Sequence, residues 1–363
     1  MSFRSLRALL AVGAVVVLIC STATAGGNRG QGYIQHNLVS DLSNKAPRTD
    51  PNLVNPWGIA LGDDTSLWIA DNGTGTSTIY RGNGQPSSLV VTIPAATAET
   101  GTPTGIVYHE SEGKGEDEFL ITSGVDSSIG PSIFIFASQD GVISGWNPSV
   151  DRTHAIVGII RPGAAYTGLA IAEDSTGARL YAANFPAGSV DVFDEHFVYL
   201  KSFSDPSLDG FGPFGIQEIG GRIYVAFAKI GDDGDEEKGL GLGYVDVFDT
   251  DGSLVTKLVA QGELNAPWGM ALAPRNFGQF SRDLLVGNFG DGRIHAYDPT
   301  TGEFHGTMTD HAGRPIEIEG LWGIAFGNGT NDGGKSNTLY FAAGIDDEQH
   351  GLFGRLSTRS NPF

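Results

Sequence analysis

Asp71, Asn184 and Asn288 end the same kind of apolar run in three copies of one recurring phrase. Oxygen-bearing side chains brought to one place would suit a hard cation or a hydrogen-bonding ligand. The competing role is a cap on each residue's own turn, as Asp71-Asn72-Gly73 suggests. A second set is mostly aromatic. Trp57, Phe214, Trp268 and Trp322 share one position of the phrase, with Thr104 and Thr167 at that position in two further copies. A half-ring of aromatic faces could stack on sugar rings or hold a flat apolar ligand, or it could pack inward as a plug. The pattern predicts a shared role, with Trp268 buried and Trp57 and Trp322 partly exposed. A third set is acidic: Asp232, Asp233 and Asp235, followed by Glu236 and Glu237, in one loop, and Asp346 and Asp347, followed by Glu348, in another. Clustered carboxylates with a glycine can hold calcium, although the spacing is not that of an EF-hand loop and charge runs are usually solvated surface. Asp194, Asp249 and Asp298 precede turn residues and read as turn formers.

The elements that must position these residues follow from the repeat. The phrase runs Pro56-Trp57-Gly58-Ile59-Ala60 and returns with its glycine at 105, 168, 215, 269 and 323. After each copy comes a second apolar run, such as Leu67-Trp68-Ile69-Ala70, and then an alternating one, such as Ser189-Val190-Asp191-Val192-Phe193. Short runs of β-branched and aromatic residues bounded by Gly, Asn and Asp are strands. Six such units predict an all-β, six-bladed β-propeller of four-stranded antiparallel blades, starting near 57, 104, 167, 214, 268 and 322. The last unit lacks an outer strand, and residues 33–42 belong to no unit, so the N-terminal strand should close the ring in the last blade. In this topology the start of each innermost strand and the end of the second share one face. All three sets then fall on one face, with the aromatic set around the axial mouth, and blades 2, 4 and 6 carry Ala137, Phe227 and Ala343 in place of the oxygen-bearing residues.

Composition narrows the function classes. The chain has 42 acidic against 22 basic residues, a net charge of −20 and one cysteine among 363 residues. A disulfide scaffold and a CxxC metal site are excluded, and a surface of this sign repels nucleic-acid phosphates. Arg4 and Arg7, an apolar run from Ala8 to Cys20, and Ala23-Thr24-Ala25 predict an export signal cleaved after Ala25. The mature chain, 26–363, is then a single propeller domain with no membrane span, located in the periplasm or outside the cell.

Asn55-Pro56-Trp57-Gly58-Ile59-Ala60 with Leu67-Trp68-Ile69-Ala70-Asp71-Asn72 resembles NHL-type propeller repeats. More broadly, Ser144-Gly-Trp-Asn-Pro148, Gly243-Tyr-Val-Asp-Val-Phe-Asp249 and Leu285-Val-Gly-Asn-Phe-Gly-Asp-Gly292 resemble a family of exported bacterial six-bladed propellers of uncharacterised function. Some of its members carry a Pro-Glu-Pro-type sorting tail that this chain lacks. The resemblance implies the fold and no activity. Propeller lactonases place Asn or Asp just before the innermost-strand glycine, where this chain has Trp, Thr or Phe, and no G-x-S-x-G elbow occurs. The expectation is an exported propeller that presents a face around the axial mouth to a small molecule, glycan or protein, with no evident catalytic set. The alternatives are a metal-dependent, lactonase-like hydrolase using the Asx and acidic residues with calcium, or a structural envelope or matrix protein.

Overall fold

The computed structural model describes residues 32–110, 117–174 and 176–358. The expected signal segment, 1–25, lies outside them. Each of the first five repeats folds into one antiparallel sheet whose four main strands follow chain order from the axis outward, and the sixth supplies three. Blade 1 is Pro56–Ala60, Leu67–Asp71, Thr76–Tyr80 and Val91–Thr92. The innermost strands of blades 2 to 6 are Pro103–Tyr108, Tyr166–Asp174, Phe211–Ile219, Pro267–Leu272 and Leu321–Phe326. Blade 2 carries an extra hairpin, Leu120–Thr122 with Ile129–Pro131, between its first two strands.

The second strands are apolar along their middles because neighbouring blades cover both of their faces. Every residue of Leu67–Asp71, Phe134–Ser138 and Leu284–Asn288 is buried. Between blades 1 and 2, for example, Trp68 stacks on Phe134 at 4.1 Å with Trp146 beside it.

The recurring glycine has a direct cause. A β-carbon at Gly58 would sit 2.6 Å from the Thr104 carbonyl oxygen, and one at Gly215 would sit 1.9 Å from that of Trp268. At Gly269 the obstacle is the Trp322 oxygen at 2.5 Å, and at Gly323 it is the Trp57 oxygen at 2.4 Å. Each innermost strand therefore leans against the next at the glycine, and the last contact joins blade 6 to blade 1.

Closure follows the expected route. Tyr33–Ser40 pairs antiparallel with His350–Thr358, from Tyr33 opposite Thr358 to Ser40 opposite Leu352, and supplies the outer strand of blade 6. Arg48–Thr49 then adds a short parallel pair outside it. The buried Tyr33 hydroxyl donates to the Phe277 carbonyl of blade 5 at 2.9 Å, and Ser40 Oγ donates to the Gly351 carbonyl at 2.6 Å.

Candidate functional site

Strand register confirms that the innermost-strand starts and second-strand ends share a face: Pro56 lies opposite Asp71, Tyr166 opposite Asn184 and Pro267 opposite Asn288. In blade 2 the residue opposite Pro103 is Ser138, one beyond the expected Ala137, because a bulge between Phe136 and Ser138 shifts the register.

At this mouth the aromatic residues form a plug. Trp322 is 1% exposed, Trp57 3%, Phe214 1% and Trp268 9%. The expectation of partly exposed Trp57 and Trp322 is thereby corrected. Trp57 stacks on Trp322 at 3.5 Å, Phe289 covers the same indole at 3.9 Å, and Trp268 meets both tryptophans edge-on. Trp268 Nε1 reaches across the axis to donate to the Thr167 carbonyl at 2.9 Å. Buried Thr104 and Thr167 instead link innermost strands, donating to the Tyr166 and Pro213 carbonyls. Large rings from one side fill the space that small residues leave on the other, which explains the one-sided pattern.

Asp71, Asn184 and Asn288 are buried. Asp71 Oδ2 accepts the Thr78 N–H at 2.8 Å; Asn184 Nδ2 donates to Asp191 at 3.2 Å; Asn288 Nδ2 donates to the Glu263 carbonyl at 2.8 Å. Burial drives the Asp71 carboxyl well above the usual carboxylate range. Among the described residues these hydrogen bonds run to three separate groups and none joins the three side chains to one another. Asp194 and Asp298 cap turns as expected, Asp194 accepting from His196 and Val198 N–H groups and Asp298 from those of Thr300 and Thr301. Asp249 pairs with Arg222 at 2.9 Å.

The acidic loops do meet. A cleft of about 520 Å³ lies off-axis over blades 5 and 6, with Phe289 on its floor and Asp291, Glu317, Glu319, Asp347 and Glu348 around it. Lys238, from the loop of blade 4, lays its ammonium over the Phe289 ring at 4.1 Å. Glu348 accepts from Asn55 Nδ2 at 2.8 Å, and Asn55 Oδ1 accepts the Trp322 indole N–H at 3.1 Å, so the cleft wall is tied to the plug. Burial, then the charges of Glu348 and Asp235, raises the Glu236 carboxyl to about 7, and burial raises Glu348 as well. Asp346, Asp347 and Glu348 hold φ of 53°, 52° and 63°, three left-handed residues in succession with no glycine among them. Such strain costs roughly 1–2 kcal/mol per residue and collects at ligand sites.

Asp232, Asp233 and Asp235 lie on the outer part of their loop, where Asp233 Oδ1 accepts the Asp235 N–H at 3.3 Å. Among the described residues, the one acidic or histidine trio with ligand atoms within 4.8 Å of one another is Asp194, Glu195 and His196. Glu195 there is already paired with Arg179. Sequence reasoning marked the acidic loops but not Lys238, Asn55 or Phe289. The phrase Asn288-Phe289-Gly290 beside Asn184-Phe185 was the available signal for the last of these.

No protein-family model matches the chain. It is 33% identical over 335 residues to the uncharacterized protein R648 of Acanthamoeba polyphaga mimivirus, covering 88% of this chain and 78% of that one. The uncharacterized protein L690 of the same virus is also 33% identical, covering 88% and 84%. The chain belongs to the family of these mimivirus proteins. The family's relatives here are thus viral, and the bacterial origin suggested by the resemblance has no support from them. Among solved structures, a streptogramin B lyase superposes with a TM-score of 0.50 at 13% identity, covering 90% of this chain and 97% of that one. A catalytically inactive virginiamycin B lyase from Staphylococcus aureus with quinupristin gives 0.50 at 14%, covering 90% and 98%. At such identity the likeness shows the propeller fold alone.

Proposed function

We propose that this protein is a binding propeller whose off-axis cleft takes a small ligand bearing a cationic amine. The observation that carries the reading is the gathering of carboxylates from blades 5 and 6 around an aromatic floor. Five carboxylates surround about 520 Å³, and the one ammonium in the cleft already rests on Phe289. A cation over an aromatic face gains roughly 0.5–2 kcal/mol, more as the site is desolvated, and surrounding carboxylates add to it. Lys238 marks where such a group fits. The rigid plug beneath, tied to the wall through Asn55 and Glu348, holds that floor in place.

A hydrolase built on Asp71, Asn184 and Asn288 finds less support, because these side chains bond to three separate groups, the Thr78 N–H, Asp191 and the Glu263 carbonyl. Calorimetric titration with spermidine tests the reading, with 1,8-octanediol as an uncharged chain of comparable length. Saturable binding of the amine alone is expected. No binding of spermidine, or equal binding of the diol, would overturn the proposal.

A further inference from the structure

The opposite end of the axis has a different character. Below the plug the channel narrows to a gap of about 30 Å³ bounded by Trp268 and by the innermost strands. It then widens into a blind funnel of about 480 Å³ that opens on the far face. The ring at its neck carries an apolar residue from every blade, Ile59, Ile106, Leu169, Ile216, Met270 and Ile324, with Gln217 beside Ile216. Its rim adds Leu61, Ile171, Ile219, Leu272 and Phe326, and Leu272 is 45% exposed. The one charged side chain in the lining is Glu218, whose Oε1 already accepts the Gly221 N–H at 2.6 Å.

We propose that this funnel is a second binding site, for an uncharged, compact apolar molecule carrying one or a few hydrogen-bonding groups. Three features point to that class. The volume lies within the ~300–1,000 Å³ range of small-molecule sites. Six strands of the same chain enclose the cavity and Trp268 closes its far end, so it admits a small molecule end-on and no folded segment. The lining offers no cationic partner for an anion, and burying a charge there would go uncompensated. Each innermost strand is the terminal member of its sheet and turns an edge without a strand partner toward the axis. Those backbone donors and acceptors favour an occupant that can hydrogen-bond over a pure hydrocarbon. This site is independent of the cleft on the other face and stands or falls apart from it.

The test uses a matched pair of fluorescent probes on the full chain. N-phenyl-1-naphthylamine is uncharged and has one N–H; 8-anilino-1-naphthalenesulfonate shares its body and adds a sulfonate. The first should bind saturably at one site per chain, the second at least about tenfold more weakly because the sulfonate is desolvated without a partner. Leu272→Glu, at an exposed position that leaves the core intact, should weaken the uncharged probe by about tenfold or more, whereas Lys238→Ala should leave it unchanged. Leu61→Glu, at a half-buried position of the rim, should give the same loss, with circular dichroism confirming that the fold is retained. Equal binding of both probes, or parental binding by both funnel variants, would overturn the proposal. A parent that dimerises in sedimentation, with Leu272→Glu monomeric, would assign the rim to self-association and overturn it too.

Discussion

Trp322 carries more of the account than any other side chain. Its indole lies between Trp57 and Phe289, its N–H is taken by Asn55, and Asn55 in turn holds Glu348 at the cleft wall. At 1% exposure it is core, so Trp322→Ala should lower stability by about 3–5 kcal/mol in denaturant titration. An unchanged midpoint would contradict the plug. A second residue-scale prediction concerns Asp246, which is fully buried beside Asp205. Burial, and then Asp205, raises its carboxyl to about 7. Asp205 goes the other way: burial pushes it up, but hydrogen bonds from Ser207 and Lys257 outweigh that and hold it at about 2. The folded state therefore favours protonated Asp246. Its contribution is complete below the ordinary carboxylate range and is lost as pH rises through about 7. Asp246→Asn should remove that loss, so its melting temperature should fall less than the parent's between about pH 5 and about pH 8. Parallel curves would refute it.

At the scale of elements, the recurring glycine explains why the blades were legible in the sequence. It is a steric requirement at five of the six positions, where any β-carbon collides with the backbone of the next innermost strand, and at Gly168 the fit is tight against the Ile216 side chain. Gly269→Ala, facing the Trp322 carbonyl oxygen at 2.5 Å, should cost on the order of 1–3 kcal/mol by overpacking, read as a lower melting temperature. A melt equal to the parent's would mean the strands can separate freely. The closing strand was legible for a related reason: an unpaired final blade and an unassigned N-terminal run called for each other. The site was less legible. Repeat alignment placed Asp71, Asn184 and Asn288 on the correct face but carried no information on side-chain direction. Their hydrogen bonds go to three separate groups, the Thr78 N–H, Asp191 and the Glu263 carbonyl. Exposure of the tryptophans was misjudged because a ring's burial depends on what the opposite side of the axis supplies, here Thr104 and Thr167. The left-handed turn at Asp346–Glu348, which shapes the cleft wall, has no glycine to announce it.

The whole molecule presents two unlike faces on one axis. One is capped by an aromatic plug and carries an acidic cleft, and the other opens into an apolar funnel. A net charge of −20 would draw cations toward the first face over a Debye length of ~10 Å at moderate salt. Since the Glu236 carboxyl sits at about 7, amine binding in the cleft should weaken as pH falls below that value and one of the nearby negative charges is neutralised. The most direct measurement is a spermidine titration of Lys238→Ala beside the parent, at about pH 8 where the carboxylates are charged. If the cleft is a cation site whose aromatic floor Lys238 occupies, removing that ammonium frees Phe289 and deletes a repulsive charge, and the amine should bind several-fold more tightly. Loss of binding in Lys238→Ala, or an affinity unchanged from the parent, would contradict the account.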